Sequence, residues 1–420
     1  MRADGSSRFG PANQYGYFPS GAVAWKLSEE DFMGDAFSTL KLRAGAGVTG
    51  NQEGLGHALY LRRERFSGVG ISDNYDVNFI INGPGVNVVS NPNPDLKWES
   101  TISYNAGIDF GFNDDKFSGS IDVYQSTTDD QIIGLPAAAP AFGGSIILNL
   151  PAEIENKGVE LALNNIWAST EDMTFSTAFN ISYNENLVSG LNENIYFETG
   201  AVNGPGLSGA YAQRLSNNVP LFSFYMAEFT GFDSSGFPTY ADVDGNGVGD
   251  PDADKKYVYA DALPDVNAGL SLNMTYKNWD FSSYFTGQFG FYVYNCTANA
   301  YFTKANIVTS RNVTSNVFNE PEAVGSSLAV STRFLEKGDF IRWQNASIGY
   351  NVPLSGDGVL DNLRLSLTGQ NLLLFTDYSG VDPEVSAATG DLGSGVPTSG
   401  IDYNSFPRPR TITFGINARF

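Results

Sequence analysis

Residues 98–112 alternate between apolar and polar side chains, and this two-residue period constrains the fold more than any other feature. Trp98, Ser100, Ile102, Tyr104, Ala106, Ile108, Phe110 and Phe112 share one face, and seven of these eight are apolar or aromatic. Glu99, Thr101, Ser103, Asn105, Gly107, Asp109 and Gly111 share the other, which has no large apolar residue. A strand sends successive side chains to opposite faces, whereas a helix would scatter this pattern around its circumference. The same period returns at 40–47, 117–124, 174–183, 267–276, 363–368 and 411–420. No sustained i, i+3, i+4, i+7 stripe competes with it, so the chain is predicted to be all-β and antiparallel.

Such alternation suits either a soluble sandwich, whose apolar face meets a second sheet, or a transmembrane β-barrel, whose apolar face meets lipid. Three details favour the barrel. The patterns run about 9–15 residues, close to the length that crosses a bilayer at a tilt. The polar face is mostly Gly, Ser, Thr and Asn, as a wet lumen allows. Aromatics gather at strand ends (Trp98, Tyr183, Tyr276, Trp279, Tyr350), where an interfacial girdle is expected.

Connections add a rhythm. Segments 113–116, 167–172, 277–278 and 352–361 read as short turns, while 48–96, 125–157, 292–338 and 374–409 read as long connections. Short periplasmic turns alternating with long extracellular loops are the barrel pattern. About 11–14 strands are predicted in one domain over 1–420, with the count through 185–266 left open.

Charge and residue usage narrow the chemistry. Forty-six acids against 24 Lys and Arg give a net charge of −22, which repels phosphate backbones and excludes nucleic acid as a partner. One Cys (Cys296) and one His (His57) allow neither an internal disulfide nor a His-based catalytic set, so no enzyme is expected. Met1 is followed by Arg-Ala-Asp-Gly-Ser-Ser, without the apolar stretch of a secretory signal.

Asp242-Val-Asp-Gly-Asn-Gly-Val-Gly-Asp250 places Asp242, Asp244 and Asn246 at positions 1, 3 and 5 of an EF-hand-like loop. Gly247 falls at position 6 and Asp250 at 9. Hard oxygens on a sharply turning backbone make these four oxygen donors candidate Ca²⁺ ligands. Position 12 is Ala253, flanked by Asp252 and Asp254 as substitutes, and an acidic turn that binds nothing is the competing reading. Phe420 ends the last alternating run in phase with Ile412 and Phe414, as in the C-terminal strand that barrel-insertion machinery reads. Arg62-Arg-Glu-Arg65 is read as a solvated cluster, with lipopolysaccharide phosphates as its alternative partner. Tyr60, Tyr75, Phe79, Phe142, Tyr196, Phe197, Tyr211, Tyr301, Phe302, Tyr378 and Tyr403 fall in long connections and are read as loop-packing residues.

An ordered set of segments resembles the C-terminal portion of SusC/RagA-type TonB-dependent outer-membrane receptors. The set begins with Asp4-Gly-Ser-Ser-Arg-Phe-Gly10, Tyr17-Phe-Pro-Ser20, Ala24-Trp-Lys-Leu-Ser-Glu-Glu30 and Leu40-Lys-Leu-Arg-Ala44, which runs into Val48-Thr-Gly-Asn51. Asn93-Pro-Asp-Leu-Lys-Trp-Glu-Ser-Thr101, Asn156-Lys-Gly-Val-Glu-Leu161, Asp242–Gly247 and Tyr276-Lys-Asn-Trp-Asp280 continue it. Phe334–Arg342, Leu367-Thr-Gly-Gln-Asn371, Thr376–Glu384 and Phe406-Pro-Arg-Pro-Arg-Thr411 complete it.

The resemblance implies a barrel of about 22 strands around an N-terminal plug. It further implies energy supplied through TonB, a SusD-like surface lipoprotein as lid, and oligosaccharide or peptide cargo crossing the outer membrane. It starts well inside that family's barrel, so signal peptide, plug and first strands are expected to belong to a longer receptor. Two other readings stand beside it: a self-closing porin of about 14 strands, and a secreted Ca²⁺-binding β-sandwich that recognises glycans.

Overall fold

Eleven antiparallel strands join into one continuous sheet, as the two-residue period requires. The computed structural model describes residues 1–53, 55–56, 59–61, 63–66, 86–136, 145–192, 195–309, 311–354, 360–386 and 398–420. In chain order the strands are β1 (Ser20–Lys26), β2 (Thr39–Asn51), β3 (Glu99–Phe112), β4 (Phe117–Pro136), β5 (Ser145–Ser169) and β6 (Met173–Ser189). They continue as β7 (Val266–Tyr276), β8 (Trp279–Phe289), β9 (Phe340–Asn351), β10 (Asn362–Thr376) and β11 (Thr411–Arg419). Each strand pairs with its sequence neighbour, so the sheet is a meander with β1 and β11 as its two edges.

Register lines up the apolar face across the whole sheet. One row runs Trp25, Leu42, Ile108, Ile121, Leu161, Ile181, Ala268. A second runs Phe175, Met274, Phe281, Ile348, Leu367, Phe414. Slipping any strand by one residue would turn its apolar set inward, so the rows fix the register. Side chains on this face stay open: Ile108, Ile121, Ile348, Leu367 and Phe414 are 42–65% exposed. A soluble protein seldom shows so wide an apolar sheet face, and lipid is the solvent that suits it. Phe117, Trp167, Tyr276 and Trp279 flank the short-turn end of this band, with the Trp279 and Tyr350 ring centroids 4.5 Å apart. These aromatics form the expected girdle on that side.

Two expectations need correction. Segment 125–157 is not a long connection: β4 and β5 stay paired from Phe117↔Asn165 to Pro136↔Ser145, leaving only 137–144 between them. Its polar run Gln125–Asp130 and its prolines hid the strand. Once a hairpin rises beyond hydrocarbon, nothing demands an apolar face, and the period disappears while the backbone pairing continues. Trp98 also leaves the proposed girdle. It precedes β3 and is buried, its ring centroid 5.0 Å from that of Phe9 and 5.5 Å from that of Phe18.

The compact apolar cores lie in the connections and where these pack on the rim of the sheet. The largest gathers Val202, Phe224, Met226, Tyr294, Ala300 and Ile401 from three separate loops. Among the described residues of 185–266 no further strand joins the main sheet. Strands Phe197–Ala201, Tyr211–Leu215, Ser223–Ala227 and Lys255–Asp261 form a small sheet of their own.

Ile121→Arg, in the middle of the lipid-facing rows, is expected to cost about 2–4 kcal/mol, whereas Ser120→Arg on the inner face costs under about 1 kcal/mol. Denaturant midpoints of the closed receptor in detergent would compare them. Equal losses would overturn the assignment of faces.

Candidate functional site

An antiparallel meander sends alternate connections to opposite ends of its sheet. The connections after β1, β3, β5, β7 and β9 leave one end of the sheet; those after β2, β4, β6, β8 and β10, most of them long, leave the other. The long group is the extracellular side of an outer-membrane barrel. It builds a folded body above the sheet, and the inner sheet face below it forms a lumen wall.

The clamp between body and sheet is Arg342 of β9, whose side chain is 1% exposed. Its guanidinium donates to Glu384 Oε2 at 2.8 Å, Asn371 Oδ1 at 2.7 Å and Asp382 Oδ1 at 2.6 Å. Arg408 adds a bond to Glu384 at 3.0 Å, and its carbonyl accepts from Asn371 Nδ2 at 2.8 Å. Asn371 holds a left-handed backbone (φ 51°) where β9 and β10 shift register, which turns its amide toward the cluster. Two cations and two anions thus satisfy one another where a lone buried charge would be costly.

A second latch packs Phe9, Phe18, Leu96 and Trp98 together. A Cβ at position 10 would lie 2.8 Å from the Pro94 carbonyl oxygen, so this approach requires Gly10. Neither latch was legible as a contact. Their signal was the set of family-like segments, for Arg342, Asn371, Asp382, Glu384 and Arg408 come from four of them.

Loop aromatics act mainly as packing and hydrogen-bonding groups. Tyr225 and Tyr196 hold the Arg214 guanidinium carbon 3.6 and 4.1 Å from their ring centroids, and Glu198 pairs with Arg214. Tyr378 donates to Asp402 Oδ2 at 2.7 Å, and burial pushes both groups above their ordinary pKa ranges. Tyr301 and Tyr403 share a hydroxyl hydrogen bond of 2.9 Å. Cys296 opens a short helix (Cys296–Tyr301), and its Sγ lies 3.1 Å from the Asn203 carbonyl. Burial raises its thiol to about 11, the environment of an inert packing cysteine. His57, Arg62, Tyr75, Phe79 and Phe142 lie outside the described residues, as do the side chains of Arg63, Glu64 and Arg65.

The acidic loop sits on the extracellular side. Carboxylate oxygens of Asp242, Asp244 and Asp254 lie within 4.8 Å of one another. Asp254 accepts from the backbone N–H of Val243 at 2.8 Å, Asp244 at 3.0 Å and Asp250 at 2.7 Å, and these bonds hold its carboxyl below the usual range. Asp242 accepts from Gly245 and Gly247. Of the four sequence-derived candidates, Asp242 and Asp244 converge. Asn246 Oδ1 instead takes the Val248 N–H and Asp250 Oδ1 the Asp252 N–H, both at 2.8 Å. Phe420 follows β11 at the short-turn end and is exposed.

The lumen wall carries more charge than the Gly/Ser/Thr/Asn pattern led us to expect, and much of it is paired. Arg43 bridges Asp109 at 2.7 Å and Asp122 at 2.8 Å, with Lys41 3.6 Å from Asp109. Arg364 bridges Asp280 at 2.6 Å.

A lipid-facing sheet, a polar inner wall and a folded extracellular body define an outer-membrane β-barrel segment of the receptor type. A family profile described as "TonB dependent receptor-like, beta-barrel" matches residues 1–372, and the chain belongs to that family. It is 33% identical to TonB-dependent receptor P3 of Formosa agariphila, over 100% of this chain and 43% of that protein. It is 32% identical to TonB-dependent receptor SusC of Bacteroides thetaiotaomicron, over 100% of this chain and 42% of that protein. The chain therefore spans less than half the length of these relatives. In fold it resembles the RagAB peptide importer in its open-open state, with a TM-score of 0.80 at 23% identity over 99% of this chain and 44% of that one. The SusC/RagA resemblance read from the segments is thereby shown.

Asp261 supplies a pH test of the extracellular body. Burial raises its carboxyl to about 6, so the folded state holds a proton that the unfolded chain, near 3.8, has already released. Stability from this group is full below pH 4 and is lost as pH rises to 6. Thermal melts of the body, followed by limited proteolysis at pH 4.5 and 7.5, are expected to show Asp261→Asn protecting at 7.5 and flattening the pH dependence. An unchanged profile would overturn this account.

Proposed function

We propose that this chain forms the C-terminal part of the barrel in a TonB-energised outer-membrane transporter. The cargo would be an oligosaccharide or a peptide, with a SusD-like lipoprotein seated over the extracellular body. The observation that carries the reading is the open sheet: β1 and β11 have no outer partner among the described residues, while the inner wall is polar and the outer wall apolar. Each unpaired N–H or C=O in hydrocarbon costs several kcal/mol, so further strands must complete the wall. Lipid and lipopolysaccharide are then the partners of the outer face, and TonB acts through a plug segment supplied by the longer receptor. Phe420 serves as the terminal aromatic read during barrel insertion.

Self-closure as a porin is disfavoured, because the two edge strands do not meet in the described sheet. Residues 1–420 expressed alone are expected to give no heat-modifiable, protease-resistant monomer in outer membranes. Co-expression with the preceding half of the receptor restores one. A stable monomer from 1–420 alone would return the porin reading to first place.

We also propose Ca²⁺ at the acidic loop, favoured by the convergence of Asp242, Asp244 and Asp254. Extracellular Ca²⁺ modules work at about 10⁻⁴–10⁻³ M. Millimolar Ca²⁺ is expected to protect the 242–254 loop of the intact receptor from proteolysis, and Asp244→Ala to abolish that protection. Identical cleavage with Ca²⁺ and with chelator would reduce the loop to an acidic turn.

A further inference from the structure

The inner face of the sheet is polar along most of its height, yet near its extracellular rim it holds an apolar cavity of about 290 Å³. Leu150, Ala152 and Ile154 of β5 and Val188 of β6 form its floor; Leu215, Leu221 and Phe222 from the 190–265 loop close over it. The closure is held by hydrogen bonds. Val188 N donates to Val219 O at 3.0 Å, Asn218 N to Val188 O at 2.8 Å, and Leu221 N to Asn186 Oδ1 at 2.8 Å. The cavity is thus pre-formed and needs no ligand to shape it.

One polar group in its lining is unexplained. Gln131 is 8% exposed, and its amide nitrogen donates to Thr128 O, but its Oε1 finds no partner among the described residues. A buried acceptor without a donor is unfavourable and is usually met by a bound group or ordered water. The other carboxylate and amide groups nearby are occupied: Glu99 accepts from Asn51 at 3.0 Å and from Ile132 N at 3.3 Å.

We propose that this niche binds an apolar side chain of a peptide cargo, and that the Gln131 amide, whose Oε1 is shielded in the free protein, turns to accept a cargo amide N–H. The inference rests on the transport reading and selects between its two cargo classes. Size fits, since a dry apolar cavity of about 150 Å³ already holds benzene, and a leucine or phenylalanine side chain with its adjoining amide needs more. Chemistry decides between the classes. Sugar hydroxyls pressed against these aliphatic walls would lose hydrogen bonds to water and regain one at most, whereas an isobutyl or phenyl group loses none.

The test uses the intact receptor in detergent and N-acetyl-4-fluorophenylalaninamide, observed by fluorine NMR. Saturable broadening is expected with the wild type. Ala152→Phe, which fills the niche from its floor, is expected to weaken binding by about tenfold or more, roughly the loss of one well-buried contact. Should that variant fold poorly, Leu221→Ala enlarges the niche and is expected to admit the bulkier naphthylalaninamide. Binding that neither variant changes would overturn the proposal. So would absence of binding, which gives the niche to the receptor's own N-terminal part. Uptake or conductance that persists in either case would leave the transport reading intact.

Discussion

Every peptide group placed in hydrocarbon must find its hydrogen-bond partner in a neighbouring strand, and the architecture follows from that requirement. It forces antiparallel pairing of sequence neighbours and fixes one face as apolar from Trp25 through Ala268. It also makes register unforgiving, because a slip by one residue would expose Asp109 or Arg43 to lipid. Hydrophobic collapse is absent from the sheet itself. Its apolar residues remain on the outside, where the bilayer takes the role that a core plays elsewhere. The buried apolar clusters therefore lie within the loops or where the loops pack on the extracellular rim of the inner sheet face.

That division explains what the sequence showed and what it hid. Strands β3, β7 and β11 were legible nearly to the residue, since lipid on one side and water on the other write a period of two. The upper halves of β4 and β5 were hidden, because no lipid faces them there and Gln125–Asp130 reads as a loop. The extracellular body was hidden for a different reason. Its contacts join residues far apart in sequence: Val188 with Val219, Ala227 with Ser331, Tyr294 with Ile401. Local periodicity carries no information about such pairings. The family-like segments did carry it, without showing its meaning. Phe334–Arg342, Leu367–Asn371, Thr376–Glu384 and Phe406–Thr411 meet in a single ion cluster around Arg342.

Ordering connections of this length costs backbone entropy at every residue, on the order of 1–2 kcal/mol each. Loops so long persist as structure only when they bring their own core, and here they do. Phe224, Met226, Tyr294 and Ile401 are almost wholly buried together. Arg342 adds direction to this packing. A bidentate, planar cation shared by two acids and an amide accepts few geometries, so the 377–410 connection is aimed as well as anchored. A rigid extracellular body would suit the lidding partner proposed above, since docking on a floppy surface would have to order it first.

Charge is distributed unevenly between body and wall, and this bears on selection. On the wall, Arg43 and Lys41 sit against Asp109 and Asp122, and Arg364 against Asp280, so opposite charges cancel within a few ångströms. In the 190–265 connection, eleven acids face only three basic residues. That one connection thus carries an excess of eight acids on the extracellular side, while paired charges line the wall below. A field of that form discourages anionic solutes at the entrance and does little to sort neutral ones inside. In the proposed transport reading, sorting of neutral cargo would then come from shape and apolar contact. The cavity between Ala152, Val188 and Phe222 is a place on the described wall where apolar side chains outnumber polar ones, with the shielded, unpaired Gln131 Oε1 beside them.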